Sequence, residues 1–177
     1  VKYSYYPGNV ARQSSREVED TIQPLCKTLG IELIEIVGYN SDGGNIIKQG
    51  NRELQLALNA RNLALAEKKG HDIITACASA QGILHESIDT FQNDEIALAS
   101  ANRVLEKTTG LTLNASEISS SHLLHVLVDE IGLDKVEAAV VNPLDTILWY
   151  LPVVNMFSTA LKLGLGLGSW FSGTSTG

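Results

Sequence analysis

The sequence predicts an α/β fold: a parallel sheet of βαβ units flanked by helices, followed by an apolar C-terminal helical arm. Three observations predict it. Within the first hundred residues, short apolar strand-like runs alternate three times with segments of helical spacing. Residues 31–37 (Ile31, Leu33, Ile34, Ile36, Val37) are nearly continuously apolar, as expected of a parallel strand covered on both faces. Beyond Asn142-Pro143 charge almost disappears, Asp145 and Lys162 being the only charged residues from Leu144 to Gly177. The expected division is therefore an α/β domain over 1–143 and an arm over 144–177 with a polar end.

The elements follow in order. Residues 2–6 mix polar and aromatic side chains as a strand, and Pro7-Gly8-Asn9 breaks it. Ser14-Ser15-Arg16-Glu17 starts a helix that runs to Leu29 and stops at Gly30. Val18, Ile22, Leu25 and Leu29 are its expected apolar face, Pro24 predicts a kink or late start, and Cys26 is expected in the core. After the second strand, Gly38 to Gly44 reads as a loop. Asn51-Arg52-Glu53 then caps a helix through Lys69, ended by Gly70, with Leu54, Leu58 and Leu65 facing inward beside Leu56 and Leu63. A third strand over 72–76 feeds a helix over 80–106. A further helix over 119–131 and a short segment over 135–141 complete the domain.

The third strand and its helix, Asp72 to Gly82, have the frame of a site. Ligands in parallel α/β sheets bind beyond the carboxyl ends of the strands, and a helix N-terminus there favours anions and thiolates. Cys77 sits at that junction. It reads either as a reactive thiol or as a small residue filling space, and no local base is evident beyond His85, two turns further on.

Composition narrows the function. A net charge of −7 and only 6% aromatic residues disfavour nucleic acid, which needs cations for phosphates and rings for bases. The 44% hydrophobic content supports a core of ordinary size. Two cysteines, Cys26 and Cys77, make no disulfide framework, and a reducing cytoplasmic compartment is expected. Other motifs are set aside. Asn114-Ala115-Ser116 matches a glycosylation sequon by chance. Gly164-Leu165-Gly166-Leu167-Gly168 lacks the strand and acidic residue of a dinucleotide site. His122 and His125, three apart on the expected helix, read as half-buried histidines rather than a metal pair, and Asp42 with Cys77 lacks close-spaced zinc ligands.

Three loops, Pro7-Gly8-Asn9, Asn40-Ser41-Asp42-Gly43-Gly44 and Cys77-Ala78-Ser79-Ala80, together with Leu58-Asn59-Ala60-Arg61-Asn62-Leu63-Ala64-Leu65-Ala66-Glu67, carry a resemblance. Over residues 2–143 the chain resembles the cysteine-rich (CCG) domain of the heterodisulfide reductase B-subunit family, shared with the E subunit of some succinate dehydrogenases. Tyr5-Tyr6-Pro7-Gly8, Gly43 and Cys77 fall in register with its motif. In that family the cysteines hold an unusual iron–sulfur cofactor, and most members carry two such domains. Here the cysteine positions are Asn9, Ser41, Asp42, Cys77 and Ala80, so one of five keeps its thiol. The resemblance implies the fold and argues against the cofactor in this chain, since clusters are held by several thiolates. It implies iron–sulfur oxidoreductase subunits as neighbours in a multi-subunit assembly.

The arm is the remaining signal. Residues 146–171 are long enough to span a bilayer, but Pro152, Asn155, Lys162 and three glycines make a poor span, with Lys at mid-membrane costing about 2.5–3.5 kcal/mol on insertion scales. Trp149, Tyr150, Trp170 and Phe171 at its ends suit an interface, and Leu151, Val154, Phe157, Leu161 and Leu165 supply apolar surface. The expectation is an arm lying on the inner face of a membrane or packed on a partner subunit, with a quinone or lipid as its ligand class. The chain as a whole is expected to be a non-catalytic scaffold or anchor subunit of an electron-transfer complex. The alternatives are a redox subunit using Cys77 with partner ligands, or a quinone- or lipid-binding subunit.

Overall fold

Four strands, all parallel, lie in the order β2-β1-β3-β4 in a computed structural model that describes residues 1–13 and 15–141. They are β1 (Lys2–Tyr5), β2 (Glu32–Glu35), β3 (Ile73–Thr75) and β4 (Ser120–His122). The α/β class with a parallel sheet is therefore the observed one. The arm residues Trp149, Tyr150, Leu151, Val154, Phe157, Leu161, Leu165, Trp170 and Phe171 lie outside the described residues. Among the described residues no helix is long and apolar enough to cross a membrane.

Each face of the sheet carries its own core. Ile73 of β3 joins Tyr6, Ile36, Leu63, Leu84, Phe91 and Leu105 on one face. Its neighbour Ile74 joins Tyr3, Tyr5, Ile22, Cys26, Leu123 and Val126 on the other. Successive side chains of a strand point to opposite faces, so a strand in the middle of a sheet needs cover on both. Burying each such side chain contributes roughly 1.5–3 kcal/mol. β1 and β3 are the strands with neighbours on both sides.

β2, in contrast, is an edge strand, and Leu33 and Ile34 are only half-buried. The run over 31–37 nonetheless reaches both cores, Ile31 and Leu33 on one face and Ile36 on the other, and the partial exposure of Leu33 and Ile34 comes with the edge position among the described residues. α2 (Arg16–Thr28) contains Pro24 and buries Ile22 and Cys26, while Val18 and Leu25 are more than a third exposed. Its inward stripe is thus the i, i+4 pair Ile22 and Cys26, and burial pushes the Cys26 thiol up to about 11. Cys26 is a core residue, as its position on the helix predicts.

α4 (Arg52–Glu67) starts where expected, with Asn51 Oδ1 accepting from Leu54 N at 2.9 Å. Its buried face differs. Leu54 is 46% exposed, and Leu56, Ala60, Leu63 and Ala64 enter the core beside a polar stripe of Gln55, Asn59 and Asn62. Two short helices lie where the sequence suggests only loop, α1 (Gly8–Gln13) and α3 (Gly44–Gly50). The latter has no buried residue and is stapled instead by Lys48 Nζ at 2.5 Å from Glu86, a carboxylate it shares with Arg52 Nη1 of α4 at 2.9 Å. The hydrogen bonds from Lys48 and Arg52 hold the Glu86 carboxyl below the ordinary range.

The long helix expected over 80–106 is two: α5 (Ala78–Asn93) and α6 (Glu95–Thr109). Asp94 between them is extended, and its carboxylate accepts from Ile96 N and Ala97 N at 3.0 Å, capping α6. The helix expected over 119–131 begins instead as β4. Ile73 N donates to Ser119 O at 2.9 Å, and Ser119 N donates to Asp72 Oδ1 at 2.9 Å, so backbone pairing with β3 overrides the helical spacing. Only then does the chain turn helical, as α7 (Leu123–His125) running into a π-helical turn (Val126–Ile131), followed by α8 (Leu133–Ala138).

His122 ends β4, so it does not share a helix face with His125, and the two ring centroids are 6.3 Å apart. Its Nε2 lies 3.0 Å from Ala76 O, and Leu124 N donates to its Nδ1 at 3.2 Å. A carbonyl can only accept and an amide can only donate, so the neutral Nε2–H tautomer satisfies both. Burial, with a smaller contribution from nearby His125, lowers the His122 pKa against the opposing bond to Ala76. The unfolded chain therefore binds the proton more readily than the folded one. This histidine's contribution is complete above the ordinary imidazole value of 6.5 and is lost as the pH falls through the lowered native value. Urea midpoints measured from pH 7.5 downward should start to fall near 6.5 and level off once the pH is below the lowered native value, and His122→Gln should flatten this part of the profile.

Candidate functional site

Because the sheet is parallel, the segments leaving β1, β2 and β3 emerge at the same edge. The structure brings Asn9, Ser41, Asp42, Cys77 and Ala80 together there. Asn9 Nδ2 donates to Ser41 Oγ at 3.0 Å and to Asp42 Oδ1 at 3.3 Å. The same two oxygens accept backbone amides at the start of α3, Gly43 N to Ser41 Oγ at 3.1 Å and Gly44 N to Asp42 Oδ1 at 2.8 Å. Asp42 is 3% exposed, so these donors answer the desolvation of its carboxylate.

Gly8 connects this pair of loops to the third. With φ at +75°, it adopts a left-handed conformation that favours glycine. A Cβ on Gly8 would lie 2.8 Å from Cys77 Cβ, 3.3 Å from its Sγ and 3.5 Å from Ala80 Cβ. The β1 loop therefore lies directly on the N-terminus of α5. Cys77 is the N-cap residue of α5 and half-buried, makes no side-chain cap bond, and its amide donates to Thr75 Oγ1 at 3.2 Å. His85 is exposed and eight residues along α5 from Cys77, about 12 Å of helical rise away. It is not placed to serve as a base.

The loop carrying Ser41 and Asp42 is held from below by α4. Asn59 Nδ2 donates to Asp42 O at 2.9 Å, and Asn62 pairs with Asn40 twice, accepting from Asn40 N at 2.9 Å and donating to Asn40 O at 3.0 Å. Asn40 Nδ2 reaches Leu58 O at 3.1 Å, while Arg61 Nη1 donates to Gly38 O and, at 2.9 Å, to Asn40 Oδ1. Tyr6 lies fully buried beneath, its hydroxyl donating to Asn40 O at 3.0 Å and its ring meeting Tyr39 edge-on at 5.2 Å. Burial, then the proximity of Asp42, raises the Tyr6 phenol above its ordinary range, so it remains a donor. Arg12 of α1 closes the other side, 5.5 Å over the Tyr39 ring and 2.7 Å from Glu35.

These supporting residues carry a signal in the sequence that apolar spacing alone passes over. Asn59 and Asn62 are amides three apart inside a Leu- and Ala-rich helix, where a purely apolar face would be expected. Buried amides persist where they have partners, and here the partners are loop backbone groups.

The donor set does not fit an iron–sulfur cofactor. The five positions present one thiol, one carboxylate, one hydroxyl, one amide and one methyl, against the four thiolates that hold such clusters. Asn9 is moreover bonded to Ser41 and Asp42, which in turn accept the Gly43 and Gly44 amides at the start of α3. Among the described residues no three His, Cys, Asp or Glu side chains are grouped to hold a metal ion.

The close approach of Gly8 sets a test of this geometry. Gly8→Ala places a methyl against Cys77 Cβ and forces a left-handed Ala, and should destabilise the chain by roughly 2–4 kcal/mol. Chemical denaturation of the full chain measures it. The double variant Gly8→Ala, Cys77→Gly should recover the packing part of that loss and leave the backbone part.

No family model matches the chain. It is 29% identical over 149 residues to the 8-methylmenaquinol:fumarate reductase membrane anchor subunit of Wolinella succinogenes, covering 82% of this chain and 49% of that protein. It is 30% identical over 148 residues to a protein of Archaeoglobus profundus that is like the B-subunit of heterodisulfide reductase, covering 83% and 49%. The B-subunit of a CoB-CoM heterodisulfide reductase of Methanosarcina acetivorans is 24% identical over 146 residues, covering 82% and 48%. The chain thus spans about half the length of the curated relatives it matches. A crystal structure of a hypothetical protein from Helicobacter pylori shares the fold, with a TM-score of 0.61 at 19% identity over 68% of this chain and 24% of that one. The resemblance carried by the three loops is the one these relatives return: over about half their length the chain is similar to heterodisulfide reductase B-subunits and to a fumarate reductase membrane anchor subunit.

Proposed function

We propose that the chain is a non-catalytic scaffold or anchor subunit of an electron-transfer complex of the dehydrogenase or hydrogenase type. The observation that carries this reading is the contrast between a retained fold and an altered donor set. The relatives are subunits of reductases, one of them named as a membrane anchor, and the loops are assembled as a parallel sheet requires. Three of the five positions, Asn9, Ser41 and Asp42, are instead linked to each other by hydrogen bonds, and Cys77 is the one thiol of the five.

In this role the α/β domain docks on iron–sulfur subunits and residues 144–171 attach the assembly to the inner face of a membrane or to a second partner. The physical basis of attachment is the sequence's apolar surface bounded by Trp149, Tyr150, Trp170 and Phe171, which favours the interfacial layer over the bilayer centre. A quinone or lipid is the ligand class such an apolar surface would take. The relative named for 8-methylmenaquinol supports that choice. The rival reading, a redox subunit whose Cys77 completes a cofactor with partner ligands, draws on the half-buried position of Cys77 at the N-terminus of a 16-residue helix.

Two measurements on the native complex decide between them. Deleting residues 144–177 should release the complex from membranes or reduce its mass, and unchanged fractionation together with unchanged mass rejects the anchor role. Iron and sulfide content and the visible spectrum should be the same in wild type and Cys77→Ala. Cluster absorbance that disappears in Cys77→Ala establishes the rival.

A further inference from the structure

We propose that Asn9, Ser41 and Asp42 form a polar clasp that ties the loop after β1 to the loop after β2. The inference rests on the reading that this chain carries no cluster at these positions. It concerns what the replacing residues do.

A loop leaving the end of a parallel strand is fixed at the sheet and free beyond it, so loops from neighbouring strands need a cross-link to keep a common arrangement. Asn9 supplies one between the β1 and β2 connections. Its amide has two hydrogens, and the two acceptors lie within reach on consecutive residues, Ser41 Oγ at 3.0 Å and Asp42 Oδ1 at 3.3 Å. Each acceptor also takes one amide of the turn into α3. The start of α1 and the start of α3 are therefore ordered through the same two oxygens.

Burial makes the link matter. Asp42 is 3% exposed, and its Oδ1 has two donors, one of which is Asn9. Removing that donor leaves a buried carboxylate short of a partner, which costs more than the bond itself contributes. The residue type is matched to the task. Aspartate at position 9 would bring a second carboxylate against Asp42, and alanine would reach neither oxygen. Gly8, immediately before Asn9, extends the arrangement to the third loop through its packing on Cys77 and Ala80.

The test compares the full chain with Asn9→Ala, Asn9→Asp and Ser41→Ala, following thermal unfolding and hydrogen exchange at the Gly43 and Gly44 amides, with iron and sulfide assayed on each preparation. Asn9→Ala should lower the Tm and speed exchange at both amides about tenfold, while the α4 amides stay protected. Asn9→Asp should be the more damaging of the two, because it replaces attraction with repulsion. Should either fail to fold, the milder Ser41→Ala, at an exposed residue, should still speed exchange at Gly43 more than at Gly44. Exchange and Tm unchanged in iron-free Asn9→Ala would overturn the clasp and leave the anchor reading standing. Iron and sulfide in the wild-type chain would overturn both, since the positions would then hold a cluster after all.

Discussion

Double burial of β3 is the constraint on which the rest of this molecule depends. Ile73 and Ile74 pair with β1 on one side, Ile73, Ile74 and Thr75 pair with β4 on the other, and all three are inaccessible to solvent or nearly so. Ile73 and Ile74 enter separate cores, so α4, α5 and α6 must cover one face while α2 and the segment from α7 to α8 cover the other. With both faces closed and all strands parallel, the connections leave the sheet at one edge. The convergence of the loops after β1, β2 and β3 follows from topology before any loop residue is considered.

What the loops then contain decides what the edge can do. Their geometry is held from three directions: the asparagines of α4 below, Tyr6 and Tyr39 beneath the turn, and Gly8 against the start of α5. A site so supported has the rigidity that a cofactor or a catalytic group requires. Asn9, Ser41 and Asp42 on it are linked to one another by hydrogen bonds, while Asn59 Oδ1 beneath is buried without a partner.

Much of the α/β pattern was legible in the chain because period is a local property. The β1, β2 and β3 runs, the Asn51 cap and the core position of Cys26 all follow from neighbours within a few residues. The errors share a different cause. Ser120–His122 has no strand-like alternation, and pairs because Asp72 and Ile73 present bonding groups to it. The division at Asp94 depends on a cap competing against continued helix, and α3 is held by Lys48 on Glu86 rather than by an apolar face. Which leucines of α4 face inward could not be read from spacing, since two adjacent stripes are both rich in Leu and Ala and the loop claims the polar one.

The sequence by itself determined the parallel α/β class and the residue types at the five loop positions, one of them a thiol, because spacing and residue type are properties of the chain. It also determined the apolar character of residues 144–171. Only the tertiary structure decided that Asn9, Ser41 and Asp42 bond to one another, that Gly8 lies on Cys77, and that Asn59 and Asn62 serve the loop. Those contacts join residues about 20 to 70 positions apart, and their formation depends on the sheet bringing the loop ends within hydrogen-bond reach, which no local pattern encodes.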